Sequence, residues 1–359
     1  MRTARLHKYF VVIAIFLTAY GCKQGRKEDG KAIKAQEQKE KEIYLYPVLQ
    51  NGKWEYIDKS GKLAIALQFD DAGNFSEGLA PVQIGKNWGY IDVLGHIIIK
   101  PGFNSAYEFK EGLACITTED GKAFINHKGE IIIKPYKFRD IAYFHEGLLV
   151  EEFGGKVAKY GYIDKEGNII INPKYDWAWH FSEGLASVKI DDKYGYIDKN
   201  GNFIIERQFD NALPFSEGLA AVMIGGEKYE YGYTNGKWGY INHQGKFQIY
   251  PEYDGGDVFS EGLSVVQIGE KSGYIDKSGK IVIQPQFDQA WDFHEGLARV
   301  RIGDYNNGKW GYINKLGKYI ANPQFDDAYN FCEGIAKVKL GDKLGYIDKS
   351  GKYIWEPTK

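Results

Sequence analysis

The sequence predicts an all-β chain of about nine tandem units, each a three-stranded antiparallel sheet. Three observations carry this. Tyr-Ile-Asp or a close variant ends at Asp58, Asp92, Asn126, Asp164, Asp198, Asn242, Asp276, Asn314 and Asp348, at spacings of 34, 34, 38, 34, 44, 34, 38 and 34 residues. Phe-x-Glu-Gly recurs between these marks eight times, with its acid at Glu77, Glu111, Glu146, Glu183, Glu217, Glu261, Glu295 and Glu333. Composition agrees: 44 Gly and 27 Tyr suit many short strands joined by tight turns. Self-similarity at a fixed period marks a repeat architecture.

Residues 1–21 stand apart. Arg2, Arg5 and Lys8 precede the apolar run "YFVVIAIFLTAY" (9–20), which ends at Gly21-Cys22. A basic start, a short apolar run and a small residue before the break read as a signal peptide, too short to span a bilayer comfortably. Cys22 directly after Gly21 resembles the lipobox of bacterial lipoproteins, although Ala19 and bulky Tyr20 depart from it. That resemblance implies lipidation at Cys22 and a membrane anchor through the lipid. Residues 22–42 are rich in Lys and Glu and nearly devoid of large apolar groups, so they read as a charged tether. The repeat domain is expected over 43–359.

Within a unit the first strand alternates: Ala80, Val82 and Ile84 against Pro81 and Gln83, one buried face and one wet face. "WGYID" is the second strand, and seven of its nine copies carry Gly at the centre, Glu55 and Ala123 being the exceptions. Gly weakens a strand, so something must approach its backbone closely; the Phe of Phe-x-Glu-Gly is the expected neighbour. Asp/Asn-x-x-Gly follows in all nine copies. The acid or amide caps its own turn and Gly supplies the positive φ. A third strand such as "HIIIKP" ends at Pro, and "QFDDAGNFSEG" connects to the next unit.

The wording of these copies resembles the WG-repeat (KWG-repeat) family of bacterial proteins over about 43–357, with Trp-Gly at Trp88, Trp238 and Trp310. The resemblance implies a repeat scaffold on secreted or surface proteins and no particular activity. Two arrangements fit the units. They stack as an open, solenoid-like superhelical array, or the connector adds a fourth strand and the units become blades of a β-propeller. The open array is favoured, because 34 residues is short for a blade and nine blades is many.

Chemistry is sparse. Net charge is −2, without the basic footprint that nucleic acid requires. Each turn holds a single acid, whereas a calcium site wants several converging; no metal and no cofactor is expected. The eight Glu are equivalent, while acid–base catalysis wants two carboxyls in distinct environments. A structural role is expected, bonding a neighbour's backbone N–H or Tyr hydroxyl, and no enzyme. The "FD" acids are expected to cap turns, and His127 and His243 share a variable turn slot expected to point outward.

Departures from the repeat are the candidate binding residues. "GGEKYEYGYTNG" (225–236) is an insertion placing Tyr229, Tyr231 and Tyr233 on one parity. "DWAWH" carries Trp177 and Trp179 where other copies hold small or polar residues. Exposed aromatics suit a protein partner or a glycan. The expectation is a non-enzymatic, lipid-anchored envelope protein serving as a protein-interaction or spacing scaffold. A carbohydrate or cell-wall binding module is the alternative.

Overall fold

The structure, a computed structural model, describes residues 44–136, 143–154, 158–229, 232–304 and 306–358. The leader, Cys22 and the tether lie outside the described residues, and no helix among those residues is long and apolar enough to cross a membrane.

Among the described residues nine sheets of three or four strands follow one another along the chain, each antiparallel throughout. Blade 2 shows the plan: Asp71–Ala72, Leu79–Ile84, Asn87–Asp92 and Ile97–Phe103, hydrogen-bonded in that order. The two-residue strand is the fourth strand of the propeller alternative. It is cut from the connector, where Asp71 lies opposite Gln83 and Ala72 opposite Val82. Among the described residues blades 1 and 4 show three strands and the other seven show four.

The first and second strands of each blade are buried, and the third is half wet. Ile97 and Ile98 are exposed while Ile99 is buried. Pro101 then sits in this edge strand, where a missing N–H costs no ladder bond. The pairing of the second and third strands slips between Trp88 and Tyr90. This slip explains the central Gly. A Cβ on Gly89 would meet Ile99 O at 2.5 Å, and one on Gly161 would meet Ile171 O at 2.6 Å. The close neighbour is therefore the bulged third strand of the same sheet, and not the connector Phe.

Asp58 shows the turn that follows. Its Oδ1 accepts from Ser60 N at 2.8 Å and Lys62 N at 3.1 Å, and Gly61 takes φ +81°. Such turns reach the previous blade, where Gly129 lies against Ile99 and Gly201 against Ile171.

The open array is corrected: the units close into a ring, the nine-bladed β-propeller. Blade 9, Asp327–Ala328 to Tyr353–Thr358, packs on blade 1, Tyr46–Gln50 to Leu63–Phe69. Val48 and Ile57 of blade 1 share a buried cluster with Ile335 and Tyr346 of blade 9. The Tyr346 hydroxyl donates to Pro47 O at 2.8 Å. Gly61 of blade 1 stands against Ile354, just as Gly129 stands against Ile99. The short repeat does not prevent closure because the added edge strand takes only two residues of the connector.

Candidate functional site at the blade connectors

The connector ends in a two-residue hairpin. In blade 2, Ser76 N donates to Leu79 O and Leu79 N to Ser76 O, with Glu77 at φ 51° and Gly78 at φ 83°. Positive φ at both central residues is the hairpin geometry that ordinarily selects Asn-Gly. All eight repeated Glu adopt it, at φ 51–54°. A left-handed Glu costs roughly 1 kcal/mol or more, so its side chain must repay the backbone.

The carboxylate does so across the blade boundary. Glu77 accepts from Gly112 N at 3.0 Å, Glu183 from Gly218 N at 3.0 Å, Glu261 from Gly296 N at 2.9 Å and Glu295 from Gly334 N at 2.8 Å. Each also meets the residue after the turn Asp/Asn in the next blade. Lys165 lies 3.2 Å from Glu111, Lys277 3.1 Å from Glu217, Lys315 3.1 Å from Glu261 and Lys349 2.9 Å from Glu295. His127 and His243 fill the same slot, 3.1 Å from Glu77 and 3.2 Å from Glu183, with their rings stacked on Phe109 and Phe215 at 4.3 Å. That slot faces the neighbouring blade, which corrects the expectation that it points outward. Partial burial pushes the carboxyl pKa of Glu111, Glu217, Glu261 and Glu295 up, but the N–H donors and the ammonium outweigh it and hold all four below the usual glutamate range.

A second clip uses the acid after the third strand. Asp70 meets Lys53 of its own blade at 2.5 Å and accepts from Gly85 N of the next blade at 2.7 Å. Asp254 repeats this with Lys237 at 2.5 Å and Gly269 N at 2.7 Å. The turn these acids cap thus belongs to the following unit. Aromatic contacts complete the boundary. Tyr56 donates to Gly73 O at 2.8 Å and lies edge-on to Phe75 at 5.0 Å. Tyr196 likewise donates to Leu213 O at 2.8 Å, with its ring tilted against Phe215 at 4.9 Å.

The connector into blade 1, beside the place where the ring closes, is built differently. Sequence position 43, which matches Glu77 in the repeat, is Ile, and position 41, which matches Phe75, is Lys. Tyr46 occupies the place of Ala80; its ring lies 5.8 Å from Tyr346 and its hydroxyl donates to Cys332 O at 3.3 Å. A cavity of about 280 Å³ remains, walled by Tyr44, Tyr46, Phe75, Tyr329, Lys337 and Tyr346 among others. Lys337 Nζ stands 4.2 Å over the Tyr329 ring, and burial lowers its pKa.

Variable aromatics cluster on the connectors. Trp177 is 40% exposed and lies edge-on to Trp179 at 6.1 Å. Trp179 is half-buried, its carbonyl taking the Tyr162 hydroxyl at 2.7 Å. Sequence reasoning passed over Arg299, whose guanidinium lies 4.3 Å over the 43%-exposed Trp291 ring. The signal was the basic residue at a first-strand position that is Pro81, Ser187 or Ala221 elsewhere. The insertion forms its own hairpin, Glu227–Tyr229 with Gly232–Thr234. Tyr229 pairs with Gly232 and Tyr233 with Lys228, so the chain turns inside the run and the three tyrosines do not share one continuous strand. Tyr231 lies outside the described residues. Among the described residues no group of His, Cys, Asp or Glu is placed to hold a metal ion.

These latches recur wherever the WG-containing repeat model matches, at 56–88, 88–122, 123–156, 160–194, 194–229, 238–271, 273–305 and 310–343. The chain belongs to the WG-containing repeat family. No curated protein matches the sequence. Among solved structures the WG-repeat chain is similar to Hsv2p of Kluyveromyces lactis, at 9% identity and TM-score 0.42, over 69% of this chain and 94% of that one. It is also similar to the extracellular domain of the putative hybrid two-component system BT4673 of B. thetaiotaomicron, at 11% identity and TM-score 0.39, over 88% of this chain and 58% of that one. A third is the dihydro-heme d1 dehydrogenase NirN, at 9% identity and TM-score 0.43, over 77% and 72% of the two chains.

Proposed function

We propose that the WG-repeat ring is a non-catalytic protein-interaction scaffold, held at the bacterial cell envelope by a lipid on Cys22. One observation supports this above others. The eight repeated Glu side chains are engaged in joining blades, while the positions that vary carry exposed rings: Trp177, Trp291 and Tyr329, each 40–43% exposed. Large amphipathic rings on a rigid support are what protein interfaces use as anchors. Cross-linking in whole cells followed by mass spectrometry tests it. A defined polypeptide should be captured by the wild type and lost from a Trp177→Ser, Trp291→Ser double variant that melts normally.

Glycan binding is the second reading, favoured by the half-exposed face of Trp177 beside Trp179. Retention of the protein on insoluble peptidoglycan, abolished by the same double variant, would select it instead.

A further inference from the structure

We propose that a cavity among three connectors takes a lysine or arginine side chain of a partner protein, held between Trp179 and Asp257. The connectors lead into blades 5, 6 and 7, over 177–209, 211–253 and 255–287. The site deepens the reading of the ring as a protein-interaction scaffold, on which it rests.

The connector into blade 7 is built unlike its counterparts. Its strand runs over Gly255–Ser260, where Asp71–Ala72 and the matching strands of other blades take two residues. Ser264 stands in the place of Ala80, Ala186, Ala220 and Ala298 and is buried. Its hydroxyl bonds the Tyr240 hydroxyl at 2.8 Å and donates to Asp257 O at 2.7 Å. The matching Tyr196 donates to Leu213 O with only Ala220 in that place. Gly256, which replaces the Ala of Ala72 and Ala212, permits this approach: a Cβ there would meet the Tyr240 hydroxyl at 3.1 Å.

Asp257 and Val258 border a cavity of about 320 Å³, at the lower end of ligand pockets, which begin at roughly 300 Å³. Other connectors carry Tyr107, Trp179, Trp291 or Tyr329 at the position that Leu213 and Asp257 hold here. Leu213, Pro214 and Val258 offer apolar surface to a methylene stem, and Trp179 offers a ring to a cation. The serine hydroxyls of the lining are engaged, Ser182 with Phe215 O at 2.7 Å and Ser216 with Phe259 O at 2.6 Å. Two titratable side chains line the cavity, His180 and Asp257. His180 stacks on His145 at 4.0 Å, and burial and the Lys110 charge lower its pKa against a weaker pull from Glu146, so it is neutral at pH 7. Asp257 accepts from Val258 N at 2.7 Å and has no ion pair among the described residues. Burial raises its pKa; the Val258 N–H opposes this and the Asp292 charge adds to it. Asp292 is itself held by His294 at 2.8 Å. The lining thus holds one carboxylate without a cation, beside an indole and an apolar wall. A guanidinium or ammonium on a methylene stem complements all three.

The probe is butylguanidinium, titrated into full-length protein and followed by saturation-transfer NMR, with butylurea as its neutral isostere. Wild type should bind butylguanidinium saturably and butylurea at least about tenfold more weakly, roughly 1.4 kcal/mol. Asp257→Asn keeps an oxygen for Val258 N and removes the charge. It should lose the same tenfold for butylguanidinium and leave butylurea unchanged. Should Asp257→Asn fail to fold, Trp179→Leu takes its place and should weaken butylguanidinium to a similar extent. Equal affinity for the two probes, full affinity in the variant, or no saturation overturns the proposal. N-acetylglucosamine binding more tightly than butylguanidinium, and lost in the same variant, overturns it in favour of a glycan subsite. If the proposal falls while cross-linking in cells still depends on Trp177 and Trp291, the scaffold reading stands and only the pocket is lost.

Discussion

Lys59 and Glu333 are 274 residues apart in the chain, yet their ammonium and carboxylate meet at 3.1 Å. The pair is the closing copy of a latch that runs round the ring. Being partly exposed it contributes about 0.2–1 kcal/mol. The buried Val48, Ile57, Ile335 and Tyr346 contribute more, at roughly 1.5–3 kcal/mol for each fully buried large apolar side chain. Lys59→Ala should therefore lower the melting temperature slightly, while deleting 335–359 should abolish the cooperative melt, because it exposes two apolar blade faces. A circular permutant with the ends of the ring domain joined and new ends at Asn200–Gly201 should still melt cooperatively. A well-folded product of the 335–359 deletion would refute closure.

The strands, their order and their turns were legible because burial alternates with a period of two and Asp/Asn-x-x-Gly names its own turn. Closure was only the second of the two arrangements, since curvature depends on how much each boundary wedges and no single unit shows it. A signal was nonetheless present in two columns of the repeat. Eight Glu of Phe-x-Glu-Gly and eight basic turn residues, from Lys59 to Lys349, match one to one only if Lys59, which no such Glu precedes, pairs with Glu333. The role of Gly89 was misassigned for a related reason: the bulge that crowds it is a register shift, which composition does not reveal.

The left-handed Glu makes a prediction that separates backbone from side chain. Glu183→Ala loses the bond to Gly218 N and keeps the unfavourable φ, so it should cost about 1 kcal/mol. Glu183→Asn also loses the latch but suits φ 53° far better, and should lie closer to wild type. Equal melting temperatures for the two variants would mean that backbone strain plays no part.

Acid should weaken the ring through the same groups. Despite the opposing effect of partial burial, Glu111, Glu217, Glu261 and Glu295 titrate below the ordinary glutamate range in the folded protein. Asp70 and Asp254 are lowered as well, chiefly by their lysines. A lowered folded-state value stabilises above the unfolded pKa, and that stability is lost as pH falls through the folded one. The contribution of these acids to the melting temperature should thus be flat near neutrality and drop progressively below about pH 4.5. Replacing the four Glu by Gln should lower it at pH 7 and flatten the acid slope.

Blade 4, with strands Leu149–Phe153, Lys159–Ile163 and Ile169–Tyr175, makes the opposite prediction. Glu151 lies opposite Gly161, the place taken by Val82, Val188, Val222, Val266, Val300 and Val338 in other blades. Only 5% of it is exposed, and its Oε1 has no hydrogen-bond partner among the described residues. Burial pushes its pKa up to about 7; the Glu152 N–H and the Lys122 charge pull down, while the Glu152 carboxylate adds to the rise. The unfolded carboxyl ionises near 4.5, so the folded chain binds the extra proton between the two values. Stability therefore falls as pH rises from about 4.5 to about 7 and is level above. Glu151→Val restores the apolar residue of the other blades. It should raise the melting temperature by several degrees at pH 8, with a clearly smaller gain at pH 4.5, where the wild-type carboxyl is neutral in the fold. Thermal melts of both proteins at the two pH values decide this. An equal gain at both would make the defect one of packing alone, and no gain at pH 8 would mean that the buried carboxylate costs the blade nothing.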